Sequence, residues 1–488
     1  MERPMQTRNL IDGQWVSADD GATMPVRDPA DDTVIAHVPA CGRNEAARAV
    51  SSAARAFDAF QAMPPAARAT LLRAISDRMA DRSDSLAQLL TREQGKPLQE
   101  SKGEVHYART YLDGAAFELE HHVAETELDP KLTGKHVLVR PTPLGVAALI
   151  TPWNFPYAML TKKIGPAFAM GCPVVIKPSE ETPLTALAFA DLCLDAGMPS
   201  GFLNVVTGEP LGIASAFFDS PEVRIVSFTG STATGRRLVE ASTRQLPRLA
   251  LELGGHAPFI VLKDADLDSA VAGLMLSKFR NGGQTCVSPN RIMVHQALAG
   301  PFVERLVEKM SALVPGRGMD SQTTLGPMIN DAGIEKIQAH VSDAIHHGAR
   351  VIMGGELLEL EGLASRFYAP TILLDATSDM LCFQEETFGP VCPIMSFDDV
   401  EEAVRIANEL PYGLASYVWG SSAKETLAVA ERLQTGIVGI NDPSPVTNWT
   451  PFGGRKQSGW GIEGGAAALD EYAPPKTYSI VGLEPPTE

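Results

Sequence analysis

The sequence predicts an α/β fold in which a parallel sheet carries helices on both of its faces. Short, nearly uninterrupted apolar runs recur through the chain, and helical patterns with apolar residues every three or four positions separate them. Turns rich in Gly, Pro, Ser and Thr follow many of these runs. Strands that helices cover on both faces have this composition, because neither face meets water. Ligands of such sheets bind at the carboxyl ends of the strands, so these turns are the first places to look for function.

Length, charge and cysteine content narrow the class of protein. A chain of 488 residues exceeds what one hydrophobic core supports, so two or more domains are expected. The net charge of -18 disfavours nucleic acid and anionic membranes as partners, because like charges repel. No apolar run is long enough to cross a membrane, and residues 1–20 contain no signal-peptide pattern. The cysteines form no CxxC pair and no zinc-like spacing with histidine, which predicts no metal site and reduced thiols in the cytoplasm.

The chain before residue 146 divides into three parts. Residues 1–42 are turn-rich and include a hairpin at 11–16, in which Asp-Gly forms the turn. Residues 44–122 have the apolar spacing of amphipathic packing helices. Residues 124–145 replace helix formers with Thr, Pro, Gly and alternating valines, which predicts an extended arm. A projecting strand pair exposes an edge unless a partner covers it, so the arm favours an oligomer.

The rest of the chain alternates strands and helices in two blocks. In the first block, strands are expected at 146–150, 174–176, 203–206 and 225–228. In the second block, strands are expected near 256–262, 291–295, 349–353, 391–397, 415–419 and 437–440, and helices near 265–280, 297–314, 331–347 and 399–409. A last apolar stretch at 478–483 is a candidate for a strand that joins a neighbour's sheet.

Cys286 is the first candidate for chemistry. It lies between a glycine pair and a Pro-Asn step, a composition typical of a tight, irregular loop. Its neighbours Gln284, Thr285 and Ser288 are residue types that can form hydrogen bonds, whereas a structural cysteine more often lies within an apolar run. The loop therefore suggests a thiol offered to a ligand, with an inert thiol as the open alternative.

Two turns after predicted strands suit a nucleotide. The turn from Gly230 and Ser231 to Gly235 opens a helix, where free backbone N–H groups and the helix dipole attract phosphate. It lacks the G-x-G-x-x-G spacing, so a plain strand-to-helix turn remains the alternative. Lys177 and Glu180 end another strand and could both reach a ribose diol, or could form a simple surface ion pair.

Three further positions suit catalysis or a ligand. Glu252 lies within an apolar run beside a glycine pair, and desolvation there would raise its pKa towards that of a general base. Asn154, in a Trp-Asn-Phe-Pro turn, offers an amide donor of the kind that an oxyanion needs. Glu386 and Phe388 precede a Gly-Pro turn. Each position also has a purely structural explanation, as a capping or salt-bridging glutamate, an Asx turn, or a turn with a core phenylalanine.

Together and in this order, these motifs resemble those of the aldehyde dehydrogenase superfamily from about Asn9 to Lys476. The resemblance rests on seven motifs, Pro152-Trp153-Asn154-Phe155-Pro156, Lys177-Pro178-Ser179-Glu180, Phe228-Thr229-Gly230-Ser231-Thr232, Leu251-Glu252-Leu253-Gly254-Gly255, Gly283-Gln284-Thr285-Cys286, Glu385-Glu386-Thr387-Phe388-Gly389-Pro390 and Pro451-Phe452-Gly453-Gly454.

The resemblance implies a role for each matched residue. Cys286 would add to the aldehyde, Asn154 and the Cys286 N–H would hold the oxyanion, and Glu252 would activate the water that hydrolyses the thioester. NAD, with NADP as an alternative, would lie along a set of eight residues, Trp153, Lys177, Glu180, Gly230, Ser231, Gly235, Glu386 and Phe388. The substrate would contact four residues, Phe155, Lys162, Arg280 and Phe452.

The resemblance also implies a three-part architecture. Residues 1–122 and 146–254 would form a Rossmann-like cofactor domain, and 255–440 an α/β catalytic domain. Residues 123–145 and 470–488 would form the β-strand oligomerisation arm of a homodimer or homotetramer.

The succinate-semialdehyde branch of the superfamily is the most similar, judged by the segments around Lys162 and Arg280. That branch usually has arginine where Lys162 stands. Lysine lacks the bidentate fork of arginine, so the sequence does not decide whether a pocket for a substrate carboxylate is present. Uncharged aliphatic or aromatic aldehydes are the alternative substrates. A thiol hydrolase or acyltransferase would need a histidine base and an inactive relative would lack the catalytic residues, so both are less favoured. A coenzyme-A-acylating relative would normally lack Glu252, which favours release of the free acid.

Overall fold

The computed structural model describes residues 5–121 and 125–482. It contains two large sheets with helices on both faces, as the apolar runs predict. In chain order the strands are β1 (Asn9–Ile11), β2 (Gln14–Val16), β3 (Thr23–Arg27), β4 (Val34–Pro39), β5 (Thr126–Leu128), β6 (His136–Pro141), β7 (Val146–Ile150), β8 (Val174–Lys177), β9 (Leu203–Val205), β10 (Val223–Thr229), β11 (Arg248–Glu252), β12 (Ala257–Val261), β13 (Pro289–His295), β14 (Arg350–Met353), β15 (Leu357–Leu358), β16 (Phe367–Tyr368), β17 (Thr371–Leu374), β18 (Val391–Phe397), β19 (Tyr412–Gly413), β20 (Ala415–Trp419), β21 (Ile437–Ile440), β22 (Arg455–Lys456), β23 (Gly459–Trp460) and β24 (Pro475–Ile480).

Helices supply the layers over these sheets. In chain order they are α1 (Arg43–Gln61), α2 (Pro65–Asp81), α3 (Ser83–Gln94), α4 (Leu98–His121), α5 (Pro130–Thr133), α6 (Pro156–Ala169), α7 (Pro183–Asp195), α8 (Pro210–Asp219), α9 (Thr232–Ser242), α10 (Leu267–Phe279), α11 (Gln296–Met310), α12 (Asp331–His346), α13 (Leu381–Gln384), α14 (Val400–Glu409), α15 (Ala423–Ala430) and α16 (Ala467–Tyr472).

The first sheet has eight strands in the order β2-β1-β9-β8-β7-β10-β11-β23. The run from β9 to β11 is parallel, and antiparallel strands flank it on both sides. Alternate residues of β7 point to opposite faces, so Leu149 joins one hydrophobic cluster with α2, α4 and α6, while Ala148 joins another with α1 and α8. Every residue of β7 is buried for this reason, as the unbroken apolar run predicts.

The second sheet has seven strands in the order β14-β17-β18-β13-β12-β20-β21. All its pairings are parallel except that of β14 with β17. Phe259 of β12 packs towards α10 and α11, whereas Ile260 packs towards α12, α14 and α15. The predicted helices and strands of both blocks are therefore present, although several others, including α8, β17 and α15, were not predicted.

The arm is a three-stranded antiparallel sheet in the order β24-β6-β5. Strand β24 pairs with β6 of the same chain over six residues, from Pro475 with Pro141 to Ile480 with His136. Because β24 lies at the edge of this sheet and is paired on one side only, the prediction that it joins a neighbour's sheet stays a prediction. Residue 483 of the predicted strand, and residues 123–124 and 483–488 of the predicted arm, lie outside the described residues.

Candidate active site

The site lies where the carboxyl ends of strands in the first sheet meet the loop that leads into the second sheet. Strands β8, β7, β10 and β11 are neighbours in the parallel part of the first sheet, so their carboxyl ends share one edge. Lys177 and Glu252 are the last residues of β8 and β11, and Asn154 and Gly230 follow β7 and β10. Cys286 precedes β13, at the amino edge of the second sheet. The expected clustering at strand ends is therefore what the structure has.

A cavity of about 610 Å³ opens at this junction. Its lining contains eleven of the residues named from the sequence, Trp153, Asn154, Phe155, Lys162, Gly230, Ser231, Arg280, Cys286, Glu386, Phe388 and Phe452. Four others do not line it, namely Lys177, Glu180, Gly235 and Glu252. A volume of this size suits an organic ligand that is largely enclosed.

Cys286 is presented by a loop with unusual backbone geometry. Asn281, Gly282 and Gly283 have positive φ values of 52°, 62° and 79° and form a 3₁₀ turn that redirects the chain after α10. A side chain at Gly283 would place its Cβ 2.2 Å from the Gly389 carbonyl oxygen, so only glycine fits there. Gly255 likewise packs against the Cys286 carbonyl, at 2.1 Å from a Cβ position. The two glycine contacts fix where the thiol stands.

The surroundings of Cys286 favour the neutral thiol. Burial and, to a smaller extent, Glu386 and Glu252 raise its pKa to about 12, although Lys162 and Arg280 act in the opposite direction. The side chain is partly exposed to the cavity all the same, as its intermediate accessibility shows. A partly accessible thiol whose burial suppresses ionisation must lose its proton to a nearby base when it reacts.

The Asn154 side chain is fixed at both ends. Its Oδ1 accepts a hydrogen bond from the Phe155 N–H at 3.1 Å, and its Nδ2 donates to the Gln284 carbonyl at 3.2 Å. These contacts settle which end of the amide faces the cysteine loop. One Nδ2 hydrogen is used in this way, and the other is available to a ligand oxygen in the cavity.

Glu252 is a buried carboxyl group. It is 3% exposed, and neither of its carboxyl oxygens has a hydrogen-bond partner among the described residues. Burial raises its pKa well above the ordinary value, the Glu463 carboxylate adds to the shift, and Lys163 and Lys162 oppose it. Glu252 does not line the cavity, but its charge raises the pKa of the Cys286 thiol. An unpaired carboxyl of raised pKa is suited to proton transfer near neutral pH.

The turn after β10 leaves room for a ligand's phosphates. Ser231 caps α9, since its Oγ accepts a hydrogen bond from the Thr234 N–H at 3.2 Å. A Cβ at Gly230 would lie 2.4 Å from the Phe228 ring, and one at Gly235 would lie 2.5 Å from the Leu253 side chain. Packing against Phe228 and Leu253 thus requires glycine at both positions. Because Gly230 and Ser231 line the cavity, the N-terminus of α9 can be reached by a phosphate there.

Lys177 and Glu180 form an ion pair with each other, which is the alternative to ribose binding that their sequence left open. Lys177 also donates to the Pro178 carbonyl at 3.1 Å. The Glu180 side chain is 40% exposed, which leaves its carboxylate available to a ligand as well.

Glu386 and Phe388 lie at the opposite wall. The Gly255 N–H donates to Glu386 Oε1 at 3.1 Å, and burial raises the pKa of Glu386 to about 7. Phe388 has a φ of 58°, a strained value for an aromatic residue, and its ring packs edge-on against Trp153 at 5.6 Å between centroids. Strain of this kind persists where the surroundings demand it and is frequent at functional sites.

Lys162 and Arg280 bring positive charge to the cavity without an ion-pair partner in the described ranges 5–121 and 125–482. The Lys162 ammonium lies 3.8 Å from the Phe452 ring centroid and 5.1 Å from that of Tyr111. The Arg280 guanidinium lies 5.0 Å from the Phe155 ring centroid. Salt bridges involving either cation are absent from that part of the chain, so aromatic rings hold them in place of carboxylates.

Several lining residues were missed from the sequence. The structure adds an aromatic and aliphatic set to the cavity wall, consisting of Tyr107, Met159, Val287, Tyr417 and residues 443–446. Tyr107 and Met159 belong to amphipathic helices, where the sequence shows only packing faces. The Pro443-Ser444-Pro445 run did carry a turn pattern that could have marked it as a loop near the site.

Three absences concern the described residues. Histidines are missing from the cavity lining, and burial lowers the pKa of His256, which follows Gly255, well below its usual value. Clusters of three or more potential metal ligands do not occur in the described residues. Among those residues no helix is both long and apolar enough to span a membrane.

The fold and site have the pattern of an aldehyde-oxidising enzyme, and comparison with known proteins identifies the class. The profile of the Aldehyde dehydrogenase family matches residues 15–478. The chain therefore belongs to the aldehyde dehydrogenase family.

Individual relatives are similar over nearly the whole chain. The mitochondrial succinate-semialdehyde dehydrogenase of Arabidopsis thaliana is 44% identical over 96% of this chain and 88% of its own length. The NADP(+) succinate-semialdehyde dehydrogenase GabD of Escherichia coli (strain K12) is 42% identical over 97% of both chains. The crystal structure of succinate-semialdehyde dehydrogenase from Burkholderia pseudomallei superposes with a TM-score of 0.96, at 44% identity over 98% of this chain and 99% of that one.

Proposed function

We propose that this aldehyde dehydrogenase oxidises a short semialdehyde with a distal carboxylate, such as succinate semialdehyde, to the dicarboxylic acid with NAD as the hydride acceptor. The observation that carries the proposal is one cavity that holds a thiol, an amide donor and two unpaired cations, Cys286, Asn154, Lys162 and Arg280. The semialdehyde names of the similar proteins support the substrate class.

The thiol and the amide share the first step. Cys286 Sγ adds to the aldehyde carbon, and the thiol proton passes to a base while the carbonyl oxygen gains negative charge. The free Nδ2 hydrogen of Asn154 and the Cys286 backbone N–H stabilise that oxygen. A fixed donor is effective here because it needs no reorganisation as the charge develops.

Glu252 serves the later step. Loss of hydride from the carbon leaves a thioester on Cys286, and Glu252 takes a proton from the water that attacks it. The S–C bond then breaks, which releases the acid and returns the thiol. The unpaired, buried carboxyl with a raised pKa supports this assignment. Hydrolysis by water also makes the enzyme non-acylating.

The residues present fit a dinucleotide. The helix N-terminus at Gly230 and Ser231, which line the cavity, and the buried Thr229 Oγ1, which has no partner among the described residues, leave polar groups for phosphates. Lys177 and Glu180 would hold the adenosine ribose, and Glu386 the nicotinamide ribose. When bound, the nicotinamide ring supplies the hydride acceptor. The Glu180 carboxylate would repel a 2′-phosphate, which favours NAD over NADP.

Two cations favour an anionic substrate. Lys162 is 2% exposed, yet aromatic rings surround its ammonium group where a carboxylate would be expected. Charges in such a site gain most from a counter-ion that the ligand brings. Because Lys162 and Arg280 both lower the pKa of the Cys286 thiol, both lie within electrostatic reach of the reacting atom. A carboxylate a few bonds from the aldehyde would therefore meet them.

Kinetics with paired substrates test the proposal. We expect succinate semialdehyde to exceed butanal in kcat/KM by roughly tenfold or more, since a charge-assisted contact is worth about 1.5–3 kcal/mol. Arg280→Gln should remove that preference while butanal oxidation is retained, and Cys286→Ala should remove both activities but not NAD binding. Arg305→Gln, which alters an exposed cation paired with Asp268, is the control.

Each result that differs from this expectation favours one of the alternative functions. A wild-type preference for uncharged or aromatic aldehydes would end the semialdehyde assignment and leave a general aldehyde dehydrogenase. Acid formation without reduced NAD would indicate a thiol hydrolase, for which the described cavity has no histidine base. No reaction with any aldehyde would indicate an inactive relative.

Assembly and location complete the proposal. The enzyme is a homodimer or homotetramer of the cytoplasm, built through the β5–β6–β24 arm. Exposed apolar side chains on and beside the arm, Leu128, Leu132 and Val481, support a covered surface there.

A further inference from the structure

We propose that Lys96 and Glu104, a buried ion pair outside all the motifs above, are positioning residues that aim the Asn154 amide at the reacting oxygen. The inference rests on the proposed role of Asn154 as the oxyanion donor. It assigns a positioning effect to two side chains that are buried and that form no part of the motifs named from the sequence.

Lys96 holds the backbone of the donor. Its Nζ lies 2.5 Å from Glu104 Oε2 and donates to the Asn154 carbonyl at 2.7 Å. The ammonium also lies 3.9 Å from the Phe155 ring centroid. The Lys96 side chain is 0% exposed and that of Glu104 is 1% exposed, so water does not weaken these contacts. Burial lowers the pKa of Lys96, while Glu104 opposes the shift.

Glu104 holds the other end of the same turn. Its Oε1 accepts hydrogen bonds from the Tyr157 N–H at 2.9 Å and the Ala158 N–H at 3.4 Å, at the start of α6. One ion pair thus anchors the turn at Asn154 and at the first residues of the helix that follows it. The segment between these anchors has little freedom to rotate, and the Asn154 side chain leaves from it.

The cysteine loop is tied to the same point. Asn281 Nδ2 donates to the Asn154 carbonyl at 3.0 Å and to the Gln284 carbonyl at 3.3 Å. Glu100, one helical turn before Glu104 on α4, accepts a hydrogen bond from the Asn281 N–H at 2.6 Å. The start of α4 therefore clamps both halves of the oxyanion site, the amide donor and the loop that carries the thiol.

A purely structural role makes a different prediction. Many buried ion pairs can be replaced by neutral groups at little cost, so stability alone does not distinguish the two roles. Acylation of Cys286 by p-nitrophenyl acetate passes through an oxyanion, whereas alkylation by iodoacetamide is a displacement at carbon that forms none. Both reactions use the same thiol without coenzyme. A positioning role must affect acylation selectively.

The experiment measures both rates in the full-length enzyme. In the double variant Lys96→Met/Glu104→Gln, p-nitrophenolate release should fall roughly 10- to 100-fold, below the roughly 10²–10³-fold cost of removing an oxyanion donor outright. Alkylation, followed by mass spectrometry, should stay within about twofold of the wild type. Asn281→Gly, which keeps a residue suited to positive φ and removes the second donor to the Asn154 carbonyl, should show the same selective loss. It also serves if the double variant fails to fold.

A double-mutant cycle separates this inference from the proposed function. Asn154→Ala should slow acylation by itself, and adding Lys96→Met/Glu104→Gln to it should cost little more, because the pair acts through Asn154. If Asn154→Ala leaves acylation unchanged, the oxyanion role of Asn154 fails. If Asn154→Ala slows acylation but the pair and Asn281 variants do not, or if they slow alkylation equally, the positioning role fails.

Glu93→Gln is the matched control. Glu93 is also a buried carboxylate that caps a helix start, since it accepts hydrogen bonds from the Leu184 and Thr185 N–H groups of α7. Its helix does not carry the donor. This variant should lower thermal stability without separating the two rates, and a selective loss of acylation in it would show that any buried cap has the effect.

Discussion

Glu252 shows how the meaning of a residue depends on its partners. A glutamate in an apolar run could have been a salt-bridging residue, but neither carboxyl oxygen is bonded within the described chain. Its charged neighbours have opposite effects on its pKa, because Glu463 raises it and Lys163 and Lys162 lower it. The net effect raises the pKa of this carboxyl well above its ordinary value, and a raised pKa suits a group that accepts and returns a proton in each cycle.

Glu252→Gln should therefore separate the two halves of the reaction. We expect a burst of reduced NAD in the first turnover, followed by a steady state slower by roughly 10²-fold, which is within the range for loss of a general base. In the wild type, steady-state turnover should rise with pH as the raised pKa of Glu252 is passed, and the variant should lose this rise. Stopped-flow absorbance at 340 nm follows both phases. Unchanged turnover in the variant would rule out the role.

Glu386 gives a second pH dependence at the residue scale. Burial raises the pKa of its carboxyl to about 7, so the group is close to half protonated at neutral pH. If the carboxylate accepts hydrogen bonds from a ribose, NAD should bind more weakly as the pH falls below about 7. Fluorescence titration from pH 6 to 8 measures this, and Glu386→Gln should bind with little pH dependence. A wild-type Kd that is flat over this range would contradict the contact.

The cysteine loop is the element whose backbone decides the site. Gly283→Ala would place a Cβ 2.2 Å from the Gly389 carbonyl at a φ of 79°, where an L side chain is strained by roughly 1–2 kcal/mol before any clash. We expect a lower melting temperature and loss of most dehydrogenase activity. Gly333→Ala in α12 is the control, because its Cβ would make only ordinary contacts from 3.7 Å outwards. Equal behaviour of the two variants would mean that the loop tolerates movement.

Elements were predictable where one local pattern decided them. The buried strands β7, β8 and β10 follow from apolar runs, and the hairpin of β1 and β2 follows from its Asp-Gly turn, which has two positive φ values. The partner of β24 was not predictable, because pairing with β6 depends on a contact 334 residues away between Pro475 and Pro141. The strand propensity of a segment does not show which other strand it pairs with.

The arm makes a prediction at the scale of the whole molecule. Leu128→Lys/Leu132→Lys places two charges where two exposed leucines now stand beside the three-stranded sheet. If the arm is the assembly surface, the variant should form a smaller species than the wild type in light scattering coupled to size-exclusion chromatography. Leu246→Lys changes another exposed leucine, in the link between α9 and β11, and should keep the wild-type mass. An unchanged mass in the arm variant would place assembly elsewhere.

The candidate site was only partly predictable because some of its contacts, like the pairing of β24 with β6, join residues that are far apart in the chain. Cys286, Asn154 and Gly230 belong to turns whose composition is unusual, so a single sequence marks them. Glu104 lies in an ordinary helical pattern and Lys96 in the short link before that helix, and their importance comes from contacts with residues about fifty positions later. The first group can be read from local chemistry, whereas the second appears only when the fold brings distant segments together.

The suppressed ionisation of Cys286 also bears on how the enzyme survives between turnovers. Peroxides attack thiolates much faster than thiols, so a resting site that holds its sulfur protonated should resist oxidative inactivation. That protection has a limit, since Ser288 stands where a nearby cysteine could have resolved a sulfenic acid, and all six cysteines are unbridged. Once oxidised, the enzyme would depend on an external thiol for repair, and it should age in storage by irreversible overoxidation more than by reversible disulfide formation.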